Sequence, residues 1–279
     1  MNKKLMLVLA VCFILVSLVI FRSKIGQFIS MRNSEQREEQ SHENSPLPSL
    51  TFAPTPRVSE TPQISSTPIL PKPSQISLYK YNGRPTEEVR PNPEEVKLFS
   101  ESQRRDIYDA LQNFGKSVKE NPDSFSSWLQ LGLLKKTIGD YEGARDAWEY
   151  ASIIRPLNDV SFANLGQLYW RYLHLYAQAE TNFKTAIKNN PHDSGTYVSL
   201  SDLYFYSLKE KADLADDVIL EGIAANPKNT DLPKSLAYLY EKKGEYASAI
   251  EWWQKVLAQD PQNADITTTI ANLKKKLTQ

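Results

Sequence analysis

Five prolines beyond residue 120, Pro122, Pro156, Pro191, Pro227 and Pro261, stand 34, 35, 36 and 34 residues apart. A period that regular over so long a stretch restricts the fold to a tandem array, because each period must be one supersecondary unit stacked on copies of itself. The residues before four of these prolines are Arg155, Asn190, Asn226 and Asp260. A residue that precedes proline is pushed out of the helical region, so each of these marks the end of a helix.

Between the prolines the same residue order returns. A bulky position holds Trp128, Phe162, Tyr197 and, departing from the rest, Pro233; three residues later come Leu131, Leu165, Leu200 and Leu236. The next residue is small in every unit: Gly132, Gly166, Ser201 and Ala237. A second helix follows with Ala144, Ala179, Ala215 and Ala249, and four residues later Trp148, Phe183, Ile219 and Trp253. The four-residue spacing keeps each pair on one helical face. Small residues let two antiparallel helices approach closely, and the large ones fill the space beside them.

This order and period resemble the tetratricopeptide repeat (TPR) family, with the resemblance covering Phe125 to Asn263. It implies an all-α solenoid of antiparallel helix pairs, with units at 125–158, 159–193, 194–229 and 230–263. Residues 93–124 read as a degenerate repeat serving as the N-terminal cap, since Ala110, Phe114, Ser117 and Pro122 match the second half of a unit while Lys97 and Glu101 occupy apolar slots of the first. From Ala264 to Leu277, with 264–279 as the closing segment, Ile266, Ile270, Leu273 and Leu277 recur at helical spacing and would cover the last unit. The middle units are longer between their helices. The extra residues are expected in the turns, around Leu173–Tyr176 and Leu208–Lys211, where insertion costs little.

The chain opens with a four-residue leader containing Lys3 and Lys4, followed by seventeen residues, Leu5 to Phe21, that are apolar except for Ser17. As a helix this run is about 26 Å long, enough to span a ~30 Å hydrocarbon core with flanking lysines and arginines snorkelling. A cleaved secretory signal has similar charge and length but needs a small-x-small site after the apolar core, and none is evident, which favours an uncleaved signal anchor. A lipidated Cys12 is disfavoured, because Val11 stands where a small residue is required and the apolar run continues past it. Basic residues flank both sides, so the positive-inside rule alone does not orient the span; the short leader and the composition that follows favour repeats outside the cytoplasm.

Residues 22–92 are expected to form a disordered tether. Pro46, Pro48, Pro54, Pro56, Pro62, Pro68, Pro71 and Pro73 break every candidate helix in a Ser-, Thr-, Glu- and Gln-rich background that cannot bury a core. A polyproline ligand or an O-glycosylated stalk are alternatives supported by composition alone. Near its end, Ile76 to Tyr81 alternates and leads into Asn82–Gly83, a strand-like run without a partner that either rests on the first repeat or stays mobile.

Catalytic and cofactor signatures do not occur. The three histidines, His42, His174 and His192, do not lie at metal-ligand spacing, the single cysteine permits neither an intramolecular disulfide nor a thiolate cluster, and no Gly-rich phosphate loop is present. A balance of 33 basic and 33 acidic residues argues against a nucleic-acid footprint. These features predict no cofactor, no metal and no enzyme. An enzymatic alternative would have to build its site from residues such as His174, Glu180 or Asp213.

In TPR proteins the first helices line a concave groove, so the resemblance makes the outward positions of those helices candidate peptide contacts. They are Leu129, Leu133 and Lys136 in the first unit, and Asn164, Gln167, Trp170 and Arg171 in the second. The third contributes Asp202, Phe205 and Tyr206, and the fourth Lys234, Tyr238 and Lys242. Trp170, Phe205 and Tyr206 could alternatively fill space under the lengthened turns. One TPR subfamily grips C-terminal carboxylates with Lys and Asn; here Leu129, Leu133, Gly195 and Ser199 stand in those slots, which counts against that use. The expected function is a membrane-tethered scaffold holding an unidentified protein or peptide of the cell envelope. A secreted soluble TPR protein, or a non-catalytic accessory subunit of an envelope enzyme, is the alternative.

Overall fold

The computed structural model describes residues 80–279. The expected leader, membrane span and most of the tether lie outside them, as do Cys12 and His42. Among the described residues no helix is long and apolar enough to cross a membrane, and no strand occurs.

The chain forms α1 (Pro93–Val96), α2 (Glu101–Glu120), α3 (Phe125–Thr137), α4 (Tyr141–Ile154), α5 (Asp159–Arg171) and α6 (Tyr176–Asn189). It continues through α7 (Ser194–Asp202), α8 (Ala215–Ala225), α9 (Asp231–Lys243), α10 (Tyr246–Leu257) and α11 (Ala264–Leu277). The helix pairs α3/α4, α5/α6, α7/α8 and α9/α10 fall within the four units read from the sequence. Side-chain oxygens start the helices by accepting orphan backbone N–H groups: Asp140 from Gly143, Asn158 from Val160, Asp193 from Gly195 and Asn263 from Ile266. The pre-proline residues end them, Arg155 at φ −138°, Asn190 at −141° and Asn226 at −129°.

Ala144, Ala179, Ala215 and Ala249 are all fully buried. A Cβ built on Gly132 would lie 2.3 Å from Trp148 Nε1, and one on Gly166 would lie 2.5 Å from Phe183 Cδ1. In the first two units the glycine of the first helix is therefore the floor on which the ring of the second helix rests. One apolar cluster runs from Ala144 and Trp148 through Phe183 and Tyr204 to Leu239, spanning the boundaries between pairs. A second joins α2 to α3 and α4 around Trp128, and a third joins α10 to α11 through Ile250, Ile270 and Leu273.

Polar ties repeat with the units. Tyr169 donates to Glu149, Tyr204 to Glu180 Oε1 at 2.8 Å and Tyr240 to Asp216 Oδ2 at 3.2 Å, each from the last part of a first helix to the preceding second helix. The first unit has a lysine at the equivalent place. Lys135 is 1% exposed, with Nζ donating to Asp140 Oδ2 and to the Glu88 carbonyl, both at 3.0 Å.

Two sequence expectations need correction. The disordered tether stops short of residue 92, because residues 80–92 pack onto the N-terminal helices. Tyr81 lies with its ring centroid 4.7 Å from that of Trp128, Thr86 donates to the Gly115 carbonyl at 2.9 Å, and Asn92 N–H donates to the Ile138 carbonyl at 2.7 Å. Arg84 holds the Asp146 carboxylate at 2.9 Å. Of the degenerate repeat's first half only the single turn of α1 forms, and residues 80–92 reach α2, α3 and α4 in extended or turn conformation.

The second correction concerns the insertion in the third unit. Not all of it lies in the turn, because α7 passes into a π-helical turn over Leu203–Ser207, closed by Leu208 N–H donating to the Leu203 carbonyl at 2.9 Å. A 3₁₀ segment, Lys209–Leu214, then leads to α8.

Candidate functional site

The first helices α5, α7 and α9 lie side by side, α5 and α7 being joined by Gln167 Nε2 donating to Ser199 Oγ at 2.6 Å. Equivalent positions therefore form rows across the array. One row reads Leu133, Gln167, Asp202 and Tyr238; the next reads Thr137, Arg171, Tyr206 and Lys242. Tyr206 and Tyr238 are 47% and 50% exposed, high for tyrosines on ordered helical segments.

The side chains of these rows interact along their length. Arg171 lies over Trp170 with its guanidinium carbon 3.9 Å from the ring centre, and its Nε donates to Gln167 Oε1 at 3.1 Å. Burial pushes the Asp202 carboxyl above the usual carboxylate range, an effect that the positive charge of Arg171 opposes. Burial likewise raises the Tyr206 phenol, which also feels the charge of Asp202 and, in the opposite sense, that of Lys242. The Tyr238 hydroxyl raises the Lys242 ammonium, whose Nζ sits 4.8 Å from the Tyr238 ring centre. The result is a belt of alternating rings and charges from α5 to α9.

At the α5 end the belt opens into a cleft of about 460 Å³ lined by Trp170, Arg171, His174 and Tyr176 on one side and Asp202, Tyr206 and Ser207 on the other. Two backbone irregularities shape it. The turn after α5 carries one residue more than those of the first and fourth units, so Leu175 N–H reaches the Tyr169 carbonyl at 2.8 Å, and His174 takes φ +54° where those units have Gly139 and Gly244. The π turn places Ser207 Oγ to accept from Trp170 Nε1 at 2.8 Å.

Placement separates the sequence-derived candidates. Arg171, Asp202, Tyr206, Tyr238 and Lys242 converge on the belt. Lys136 reaches it through Tyr172, 6.0 Å from that ring centre. Trp170 is only 6% exposed and forms the cleft floor, so the space-filling alternative describes most of its surface. Phe205 is half-buried against the core and packs edge-on to Tyr206 at 4.8 Å. Leu129 is packed between the first two apolar clusters and offers little outward. Leu133 is exposed, Asn164 half-buried, and Lys234 is paired with Asp231 at 3.0 Å in the first turn of α9.

Sequence reasoning missed Tyr172, Tyr176, Ser207 and Lys209, and gave His174 a part only in the enzymatic alternative. Lys209 Nζ lies 5.2 Å from the Phe205 ring centre. The lengthened turns were the available signal, but which side chains they bring to the helices depends on the π turn and the left-handed residue. Among the described residues no group of three or more His, Cys, Asp or Glu could hold a metal.

A tetratricopeptide repeat family model matches residues 234–263. Among curated proteins, the BBSome complex member BBS4 of Bos taurus is 26% identical over 157 residues, 56% of this chain; the chain spans 30% of that relative's length. Among solved structures, a tetratricopeptide repeat protein from Parabacteroides merdae ATCC 43184 superposes with a TM-score of 0.50 at 16% identity, covering 66% of this chain and 73% of its own. MamA gives 0.49 at 19% identity, covering 63% of this chain and 99% of its own. The matched segment lies in the fourth helix pair, whose residue order the three pairs before it share.

Proposed function

We propose that the protein is a scaffold that holds a protein or peptide partner against its first helices, with the belt from Arg171 to Lys242 as the principal contact. The observation that carries this reading is the run of exposed rings and charges across three units, Tyr206 and Tyr238 at its centre. Large amphipathic rings on a rigid helical face supply contact area at low entropic cost, which is the composition of a protein-binding surface. Site-specific photo-crosslinkers at Tyr206 and Tyr238 should give defined adducts in cells, and Tyr206→Ala plus Tyr238→Ala should remove the same partners from affinity preparations. Identical recovery by wild type and double variant would sink the reading.

In the same reading the scaffold is anchored in a membrane by residues 5–21, faces the extracytoplasmic side and serves assembly of a cell-envelope complex. The support is in the sequence: an apolar run of spanning length behind Lys3 and Lys4, without an evident cleavage site, followed by a proline-rich linker. Carbonate-resistant membrane association that is lost on deleting residues 1–29, together with protease accessibility in intact cells, tests it. Release of a shortened chain into the medium would instead favour the secreted alternative.

A further inference from the structure

Four cations along the groove differ from those that the fold ties to carboxylates. Lys135, Lys184, Lys211, Lys243 and Lys255, and likewise Arg84 and Arg145, each have a carboxylate partner. Lys136, Arg171, Lys209 and Lys242 have no ion pair among the described residues and rest against the rings of Tyr172, Trp170, Phe205 and Tyr238. Arg171 is exposed, with its guanidinium beside the Trp170 ring and its Nε donating to Gln167 Oε1. A planar guanidinium held this way presents a preorganised fork for a carboxylate. Asp202 is the one acidic residue in the belt, half-buried between Arg171 and Tyr206. Against a chain of zero net charge, these four cations beside the single Asp202 leave the belt locally basic, with only through-space attraction from Asp202 on Arg171 and from Glu241 on Lys242.

We infer that the partner is an acidic segment bound in extended form, with side-chain carboxylates engaging Arg171 and Lys242 and an apolar or aromatic residue lying on Tyr206 and Tyr238 between them. This rests on the groove reading above and adds the chemistry of the ligand. Neighbouring packed helices are about 8–10 Å apart, so Arg171 on α5 and Lys242 on α9 are separated by two such steps, on the order of 20 Å. At ~3.3 Å per residue an extended chain bridges that distance with carboxylates about six residues apart. Asp202, midway, is placed to accept a hydrogen bond from the ligand's backbone. The cations lie singly on separate units, so the ligand carboxylates are side chains along a segment and a free C-terminus is not required.

The test is selection of random dodecapeptides on the full chain, followed by synthesis of the enriched peptides with free and amidated C-termini. Enrichment of Asp and Glu at a spacing near six is expected, with little effect of amidation. Arg171→Gln plus Lys242→Gln should weaken binding at least ~10-fold at low salt, with a smaller difference at high salt as screening grows. Arg171→Glu plus Lys242→Glu should redirect the selection toward basic peptides, with circular dichroism confirming an unchanged fold. Peptides that are neutral or basic yet lose binding in Tyr206→Ala plus Tyr238→Ala would overturn the acidic ligand and leave the groove reading standing. Peptides indifferent to that double variant, or no selected binder at all, would overturn both.

Discussion

Single atoms set the separation of the helix pairs. At Gly166 an added methyl would sit 2.5 Å from the Phe183 ring, which is itself buried and cannot swing away. Gly166→Ala must therefore push α5 from α6, and we expect a loss of about 1–3 kcal/mol in urea unfolding. Charge is equally local at Glu180. Burial raises its pKa, but hydrogen bonds from Lys184, Lys211 and Tyr204 outweigh that and hold it at about 2. The folded value lies below that of an unfolded chain, so the stability from this carboxylate is present above about pH 4.3 and drains away as pH falls toward 2. Glu180→Gln should lower stability at pH 7 and flatten the acid limb of the stability profile between about pH 5 and 2, measured by denaturant titration. An unchanged limb would mean that the three donors do not act on this carboxylate. The residue order made Gly166 legible as a close approach. Nothing in the sequence marked Glu180 as the anchor of three donors, because Lys211 and Tyr204 arrive from the next unit.

At the scale of elements, turns decide what the groove presents. His174 holds a left-handed conformation that costs a non-glycine residue about 1–2 kcal/mol. Glycine avoids that strain but gives up some of the gain through its larger unfolded-state entropy. His174→Gly should therefore raise stability by up to about 1 kcal/mol in thermal unfolding, whereas His174→Val should lower it. The cleft between the second and third units depends on the same turn, which explains a strained residue where the first and fourth units use glycine. The lengthened spacing from Tyr204 to Ala215 was visible in the sequence. Its partial absorption by a π turn was not, since π turns are identified by hydrogen-bond geometry rather than residue type, and many sit at functional sites.

For the array as a whole, each pair completes its core only against its neighbours. Removing residues 264–279 would uncover the cluster in which Ile270 and Leu273 cover Ala249 and Ile250. Hydrogen exchange of the truncated chain should show lost protection in α10 and α9 and near-native protection in α3 and α4, as expected when stability is a sum of nearest-neighbour terms. Uniform loss across all helices would show that the array melts as one unit. At the other end Tyr81, Arg84 and Thr86 tie residues 80–92 to α3, α4 and α2. That the run through Tyr81 rests on the first repeat was one of two readings open in the sequence; which residues it meets was not legible, because Trp128 and Asp146 lie 47 and 62 residues from Tyr81 and Arg84. The sequence by itself determined the period, the close approaches and the helix ends, since each follows from short-range sterics: small against large within a pair, and proline acting on the residue before it. Only the tertiary structure decided which groove cations lack a carboxylate and which ring each one rests on. Those facts depend on distances between units, and no spacing within a unit encodes them.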